Sequence, residues 1–325
     1  MPLAYPILVY TGCLLLAVII GYAIRRGSTC AVGAVSELVL KRRARRFMSF
    51  LLCSAVVTLV LLPAVWLLPG RGGLLLPSYS AAWTSALGGA LFGVGAVVNG
   101  ACNFGTIDKL GCGETRYLFL FPGLLAGTSM GRVVEVPTPV ATTSIISDVS
   151  PVSLTWVAVC LAMAAIFWMA SIRRKRARGT PGKPVAAYLS IIGGLGALIT
   201  FAVGPWHYTR IAIEGSSMPS FASLAALGPM IGLLGALITG AVIAAAQDKR
   251  FQLRAPTLGG SIACFLGGFL MGVAILLIPG GNDGMVLSGL PSLSPSAAVA
   301  YPAMCATIAL LVWATNRRHK AAAAD

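Results

Sequence analysis

Three cysteines of this chain lie in or beside polar, glycine-rich breaks in otherwise apolar sequence: Cys30, Cys102 and Cys112. A thiol is a weak S–H donor, and its thiolate is a nucleophile. Cysteines at such breaks could donate a hydrogen bond to a large, soft anion or exchange with a sulfur-bearing substrate. Packing is the competing interpretation, because glycine-rich segments also occur where helices approach closely. Cys112 could equally be a surface thiol of a charged loop.

The break that carries Cys102 recurs 179 residues later without the thiol. In the first copy, Leu-Gly-Gly-Ala-Leu-Phe-Gly-Val leads into Asn-Gly-Ala-Cys102-Asn-Phe-Gly; in the second, Leu-Gly-Gly-Phe-Leu-Met-Gly-Val leads into Ile-Pro-Gly-Gly281-Asn-Asp-Gly. Paired broken segments at matching positions of two halves point to a transporter's binding site. The predicted substrate path therefore comprises eight residues: Cys30, Cys102, Cys112, Asn99, Asn103, Gly281, Asn282 and Asp283.

Neither a metal site nor an enzyme is indicated by the remaining reactive side chains. The sequence has no CxxC motif and only two histidines, His207 and His319, without metal-ligand spacing. It also lacks a Walker motif, which argues against direct coupling to ATP. We therefore expect no cofactor. The expected place of Trp206, His207 and Tyr208 is an aromatic belt at the outer membrane interface.

The chain that must position these residues has the composition of a polytopic membrane protein. Apolar residues make up 57% of its 325 residues, charged residues 10%, and the mean hydropathy is +0.87. A hydrocarbon core of about 30 Å needs roughly 20 apolar residues per helix. The sequence thus predicts an all-α protein with nine transmembrane helices and short re-entrant helices. The predicted spans are 6–24, 47–68, 82–99, 116–133, 151–170, 186–203, 221–246, 258–279 and 296–314.

The net charge of +15 is distributed as a topology signal. Basic residues form short clusters between spans and lack the basic–aromatic pattern of nucleic-acid-binding domains, so no nucleic-acid partner is expected. All but three of the 24 lysines and arginines fall on alternate loops, the exceptions being Arg71, Arg132 and Arg210. Since cytoplasmic loops carry the Lys/Arg excess, the predicted N-terminus lies outside and the C-terminus in the cytoplasm.

The 179-residue offset divides the chain into two related halves. It maps the first four predicted spans onto the last four and leaves the fifth as a linker. The predicted units are a first repeat at 1–150, a linker span with its basic loop at 151–184, and a second repeat at 185–325. Because an odd number of spans intervenes, the halves enter the membrane from opposite sides, as in an inverted repeat. The apolar stretch 31–40 is too short to cross and predicts a re-entrant half-helix.

Several motifs resemble the YeeE/YedE family of bacterial sulfur-transport membrane proteins. They are Arg26-Gly-Ser-Thr-Cys30, Gly93-Val-Gly-Ala-Val-Val-Asn-Gly-Ala-Cys102-Asn-Phe-Gly-Thr106, Leu110-Gly-Cys-Gly-Glu114, Pro279-Gly-Gly-Asn-Asp283 and Gly289-Leu-Pro-Ser-Leu-Ser-Pro295. The resemblance implies an inverted repeat with short inward-pointing helices and uptake of thiosulfate, handed between path cysteines by S–H hydrogen bonds. Cys30 and Cys102 match two of those cysteines. Thiosulfate carriers of the family also have a Gly-Cys in the second break, whereas here Gly281 stands opposite Cys102 and Thr209 opposite Cys30.

The sequence therefore predicts a permease of the bacterial inner membrane that imports a sulfur-containing anion such as thiosulfate. The resemblance also implies a cytoplasmic sulfur-accepting protein as a partner. The missing thiol leaves the substrate open: Cys112 or Cys264 replaces it, or the substrate and mechanism differ. Two alternatives remain, a permease for another sulfur or selenium species and a membrane sulfurtransferase component that holds a persulfide. A structural or scaffolding membrane protein is a third, which the inward glycine-rich breaks make less attractive.

Overall fold

Apolar runs fold into helices because a helix satisfies its backbone hydrogen bonds within one segment of lipid-embedded chain. The computed structural model describes residues 4–68, 75–132, 139–178, 184–217, 227–278 and 280–321. The long helices are α1 (Ala4–Gly27), α3 (Arg45–Leu67), α4 (Trp83–Asn99), α7 (Pro151–Arg178), α8 (Val185–Val203), α10 (Gly228–Gln247), α11 (Leu258–Leu277) and α13 (Pro295–Ala321). The short helices are α2 (Ala31–Lys41), α5 (Asn103–Gly111), α6 (Leu120–Ser129), α9 (Thr209–Ser217) and α12 (Asn282–Gly284), which continues as a π-helical turn (Met285–Gly289). The chain is thus an all-α, multi-pass membrane protein.

Eight of the nine predicted transmembrane spans are long helices or helix pairs in the described part of the chain. These eight are long and apolar enough to cross a membrane. The predicted span 116–133 is instead broken into a 3-10 turn (Thr115–Phe119), the ten-residue α6 and a second 3-10 turn (Met130–Arg132). Its glycines and proline favour close packing over a continuous helix. With the rise per residue of a 3-10 helix and of an α-helix, the lengths of the three pieces add up to about 31 Å, which is about the thickness of a hydrocarbon core.

A two-stranded ribbon fixes the two ends of this region on one side of the membrane. Strand β1 (Ser78–Tyr79), just before α4, pairs antiparallel with β2 (Ala141–Thr142), which follows the broken segment. The chain between the two strands must therefore cross an even number of times. The pair α4–α5 supplies one crossing and the broken segment 115–132 the other.

Helix pairing follows the 179-residue offset, which maps α1, α3, α4 and α6 onto α8, α10, α11 and α13. Helix α1 packs on α10, and the equivalent contact in the other half is that of α8 with α3. Similarly, α4 packs on α13, and the equivalent contact is that of α11 with α6. The short helices follow the same rule, since α2 packs on α13 and α9 on α6. A pseudo-two-fold axis predicts such reciprocity. The division into repeats at 1–150 and 185–325 with a linker at 151–184 stays a prediction.

Small residues allow the helices around the broken segments to approach closely. At the crossing of α1 and α10, a Cβ atom on Gly21 would overlap the carbonyl of Leu237, and one on Gly240 would overlap the carbonyl of Val18. Membrane helices gain stability from such close backbone contact, since lipid provides no hydrophobic driving force between them. The tight crossing holds the end of α1, and with it the break before α2, in a fixed position.

Candidate functional site

Four short helices begin at the polar breaks: α2 after Cys30, α5 after Cys102, α9 at Thr209 and α12 after Gly281. The residues before α2, α5 and α12 are N-caps with extended backbone, and none of their side chains caps its own helix. The first N–H groups of a helix lack intrahelical partners and carry partial positive charge. The predicted half-helix at 31–40 is confirmed as α2, whose residues Ala31–Lys41 form a separate short helix.

The two thiols at the starts of α2 and α5 lie against each other. The Sγ atoms of Cys30 and Cys102 are 3.8 Å apart, and both thiols are free. Cys102 is fully buried, and its Sγ accepts a hydrogen bond from the backbone N–H of Ala31 at 3.0 Å. The sulfur of one break thus covers the N-terminus of the other half-helix. Cys30 is only half-buried, so the pair presents a thiol to its surroundings.

A glycine and an asparagine give the first break its shape. A Cβ atom on Gly105 would lie 2.6 Å from the Cys30 sulfur, so glycine leaves the space that this thiol occupies. The side-chain amide of Asn99 donates hydrogen bonds to the Ala101 carbonyl at 2.7 Å and to Thr106 Oγ1 at 3.1 Å. These bonds tie the end of α4 to the start of α5. Asn99 therefore acts on the site by holding the loop around Cys102.

The second pair of breaks presents an acid in place of a thiol. Asp283 Oδ1 accepts a hydrogen bond from Asn103 Nδ2 at 2.7 Å, and the Thr209 hydroxyl lies 3.3 and 3.4 Å from the two carboxylate oxygens. A Cβ atom on Gly281 would overlap Asn103 Nδ2 and lie 3.0 Å from Asp283 Oδ1. The amide–carboxylate pair thus occupies the space that a cysteine at position 281 would need. It also links the start of α12 to the residue that follows Cys102.

Several buried amide atoms at these breaks have no hydrogen-bond partner among the residues that the structure describes. They are both polar atoms of the Asn282 side chain and the Oδ1 atoms of Asn99 and Asn103. Buried polar groups in native proteins are nearly always satisfied, so each exception needs an explanation. The amide Nδ2 of Asn282 is a free donor beside a helix start, which is a favourable environment for an anion.

The residues before α9 line a cavity at this site. Trp206 and Tyr208 are buried, and together with His207 and Asp283 they border a narrow cavity of about 10 Å³, which is about the space of one water molecule. The expected interfacial belt at 206–208 is therefore wrong, because these rings turn inward. Sequence reasoning missed them as site residues. The 179-residue offset could have indicated them, because it pairs Thr209, which directly follows Tyr208, with Cys30.

Cys112 does not join the thiol pair. It lies at the opposite end of α5 from Cys102, which is about 14 Å of helix. Burial raises the pKa of its thiol, while the nearby Arg25 opposes that shift. Arg25 is itself buried and pairs with Asp108 at 2.8 Å, an ion pair that the sequence did not reveal. Of the two cysteines that could replace a third thiol, Cys264 belongs to a buried cluster against which Cys30 packs.

Comparison with known proteins identifies the family. A family model described as sulphur transport matches residues 26–310, which include every predicted site residue. This chain belongs to that sulphur-transport family. The thiosulfate transporter TsuA of Spirochaeta thermophila is similar to it, with 27% identity over 322 residues that cover 89% of this chain and 93% of the relative. The resemblance to the YeeE/YedE family is therefore confirmed.

Membership establishes the general activity of this sulphur-transport protein. It is a multi-pass membrane transporter of a sulfur-containing anion and not an enzyme. The site described above brings together Cys30, Cys102, Asn103, Gly281 and Asp283, and it places the unpaired Asn282 beside them. A transporter of anions needs donors at membrane depth, and the starts of four half-helices supply them.

Proposed function

We propose that this protein imports thiosulfate, or a closely related sulfur anion, across the bacterial inner membrane along a path through Cys30 and Cys102. The observation that carries the proposal is the thiol pair, whose sulfurs lie 3.8 Å apart where α2 and α5 begin. The substrate of the similar TsuA supports thiosulfate. A thiol can donate to the terminal sulfur of this anion without forming a covalent bond.

The path has two thiols and an amide–acid group in place of a third thiol. From the outside, the anion reaches the cavity beside His207 and the amide of Asn282, then the thiols at the start of α5 and α2. On the cytoplasmic side, the path continues past Cys264 and toward the Arg25–Asp108 pair. This direction follows from the predicted orientation, with the N-terminus outside and the C-terminus in the cytoplasm. A cytoplasmic sulfur-accepting protein would draw the anion inward by consuming it.

Uptake of [35S]thiosulfate by proteoliposomes tests the proposal. We expect uptake above protein-free vesicles, with competition by unlabelled thiosulfate and weak competition by sulfate, which lacks the soft terminal sulfur. Labelled sulfite and selenite identify a related substrate if thiosulfate does not enter. Absence of flux for all of them, with a stable extra sulfur on Cys30 or Cys102 by mass spectrometry, would instead show a persulfide-holding sulfurtransferase component.

A further inference from the structure

We propose that Asp283 binds a proton that crosses the membrane with the sulfur anion, so that transport is coupled to protons. The inference rests on the proposed function and assigns a second, co-transported ion to the same site. Its starting observation is a carboxyl group that is 2% exposed and forms no ion pair among the described residues. An ionisable residue at membrane depth is costly and marks an ion or proton pathway by default.

The hydrogen bonds of Asp283 leave room for a proton on one oxygen. Asn103 donates to Oδ1 at 2.7 Å, and the Thr209 hydroxyl is shared between Oδ1 and Oδ2 at 3.3 and 3.4 Å. The Thr209 oxygen also accepts from the Gly281 N–H at 3.5 Å, so its own proton faces the carboxylate. Oδ2 therefore has one long, shared donor, whereas a carboxylate oxygen can accept two hydrogen bonds.

No charged side chain of the described residues forms an ion pair with Asp283. His207 and Tyr208, from the segment before α9, border the same cavity as Asp283, and Asn103, the residue after Cys102, donates a hydrogen bond to it. On α9, Arg210 pairs with Glu214 rather than with Asp283. The ionic side chains of α5 lie at its far end, where Asp108 pairs with Arg25 and Lys109 with Glu114. Helices α4 and α11 carry no charged side chain.

A negative Asp283 opposes the substrate. Asn103, the residue next to Cys102, donates a hydrogen bond to this carboxylate, so a dianion at the thiols stands close to an unpaired negative charge. Like charges in a site of low dielectric repel strongly. A proton on Oδ2 removes that charge and turns an acceptor into an O–H donor. The neutral acid can then donate to the anion, and each anion that passes carries one proton with it.

Coupled flux in proteoliposomes tests this inference. Vesicles hold a pH-sensitive dye, the membrane potential is clamped with potassium and valinomycin, and [35S]thiosulfate is added with the outside one pH unit more acidic or at equal pH. We expect the gradient to raise initial uptake about threefold or more, and to drive accumulation toward the about tenfold inside-to-outside ratio that a one-unit gradient sets for one proton per anion. The dye should report about one proton entering with each thiosulfate.

The variant D283N removes the proton site and keeps the size of the side chain. We expect it to lose stimulation by the gradient, whereas D148N, at an exposed acid between β2 and α7, should keep it. Wild-type uptake without proton entry and without response to the gradient would overturn the inference while leaving the proposed function intact. The same holds if D283N keeps full stimulation, since Asp283 would then only position Asn103. Absence of any anion uptake by wild type would refute the proposed function and this inference together.

Discussion

Replacement of Cys102 by alanine and by serine separates the chemical role of the thiol from its packing role. Cys102 is fully buried, its sulfur accepts the Ala31 N–H at 3.0 Å, and it lies 3.8 Å from the Cys30 sulfur. Alanine removes the S–H donor and the acceptor together. The backbone N–H at the start of α2 is then left without this partner.

The expected losses differ for stability and for transport. An unsatisfied buried donor costs about 1–3 kcal/mol of folding stability, and the lost sulfur leaves a small void that costs about 1 kcal/mol more. For transport, a hydrogen bond to a charged group contributes about 1.5–3 kcal/mol. Since each 1.4 kcal/mol is about a factor of ten, C102A should lower thiosulfate uptake about 10- to 150-fold at limiting substrate.

Serine at the same position provides the discriminating comparison. C102S keeps a donor and an acceptor in nearly the same place, so we expect it to recover the stability and a substantial part of the uptake. The control is C160A, which removes an equally buried thiol from α7 and should leave uptake near wild type. Uptake is measured with [35S]thiosulfate in proteoliposomes and stability by thermal unfolding in detergent. If C102A transports within twofold of wild type, the thiol has no part in the path. If C102S is as inactive as C102A while stably folded, covalent sulfur chemistry replaces hydrogen bonding as the explanation.

Two further substitutions test the space around the site and the scaffold beneath it. G105A places a methyl group 2.6 Å from the Cys30 sulfur and should lower uptake by about tenfold, because overpacking costs about 1–3 kcal/mol. The control is G33A, whose Cβ atom would have no neighbour closer than 3.7 Å and which should transport normally. Equal uptake by both would show that the thiol has room to move. G240A inserts a methyl group against the Val18 carbonyl and should lower the unfolding temperature by several degrees, because α1 and α10 must separate. On the same helix, G235A has open space and should not destabilise; similar unfolding temperatures for the two would contradict the close crossing.

The ion pairs show how far sequence reasoning reached. The acids and bases of 108–116 are close in sequence, and Glu114 pairs with its neighbours Lys109 and Arg116 near the surface. Asp108 differs, because the fold brings Arg25 from the end of α1 to within 2.8 Å of it in a buried position. No spacing rule connects two residues so far apart in sequence. Asp283 is likewise not paired with Arg210, because Arg210 is one turn from Glu214 on α9 and pairs with it locally.

The sequence by itself determined the membrane class, the broken segments and the residues that begin the half-helices. Apolar length fixes the spans, since a helix must satisfy its backbone in lipid, and glycine, proline and asparagine interrupt them where short helices start. The 179-residue offset also paired Cys30 with Thr209 and Cys102 with Gly281 before any contact was known.

Only the tertiary structure decided which of these residues meet. Whether two thiols lie 3.8 Å apart or at opposite ends of a short helix depends on helix crossings, which are set by small residues on helices distant in sequence, such as Gly21 on α1 and Gly240 on α10. For that reason Cys102 contacts Cys30 whereas Cys112, nearer in sequence, lies at the other end of α5. The same packing replaced a third thiol with the Asn103–Asp283 pair, because the space beside Gly281 was already filled.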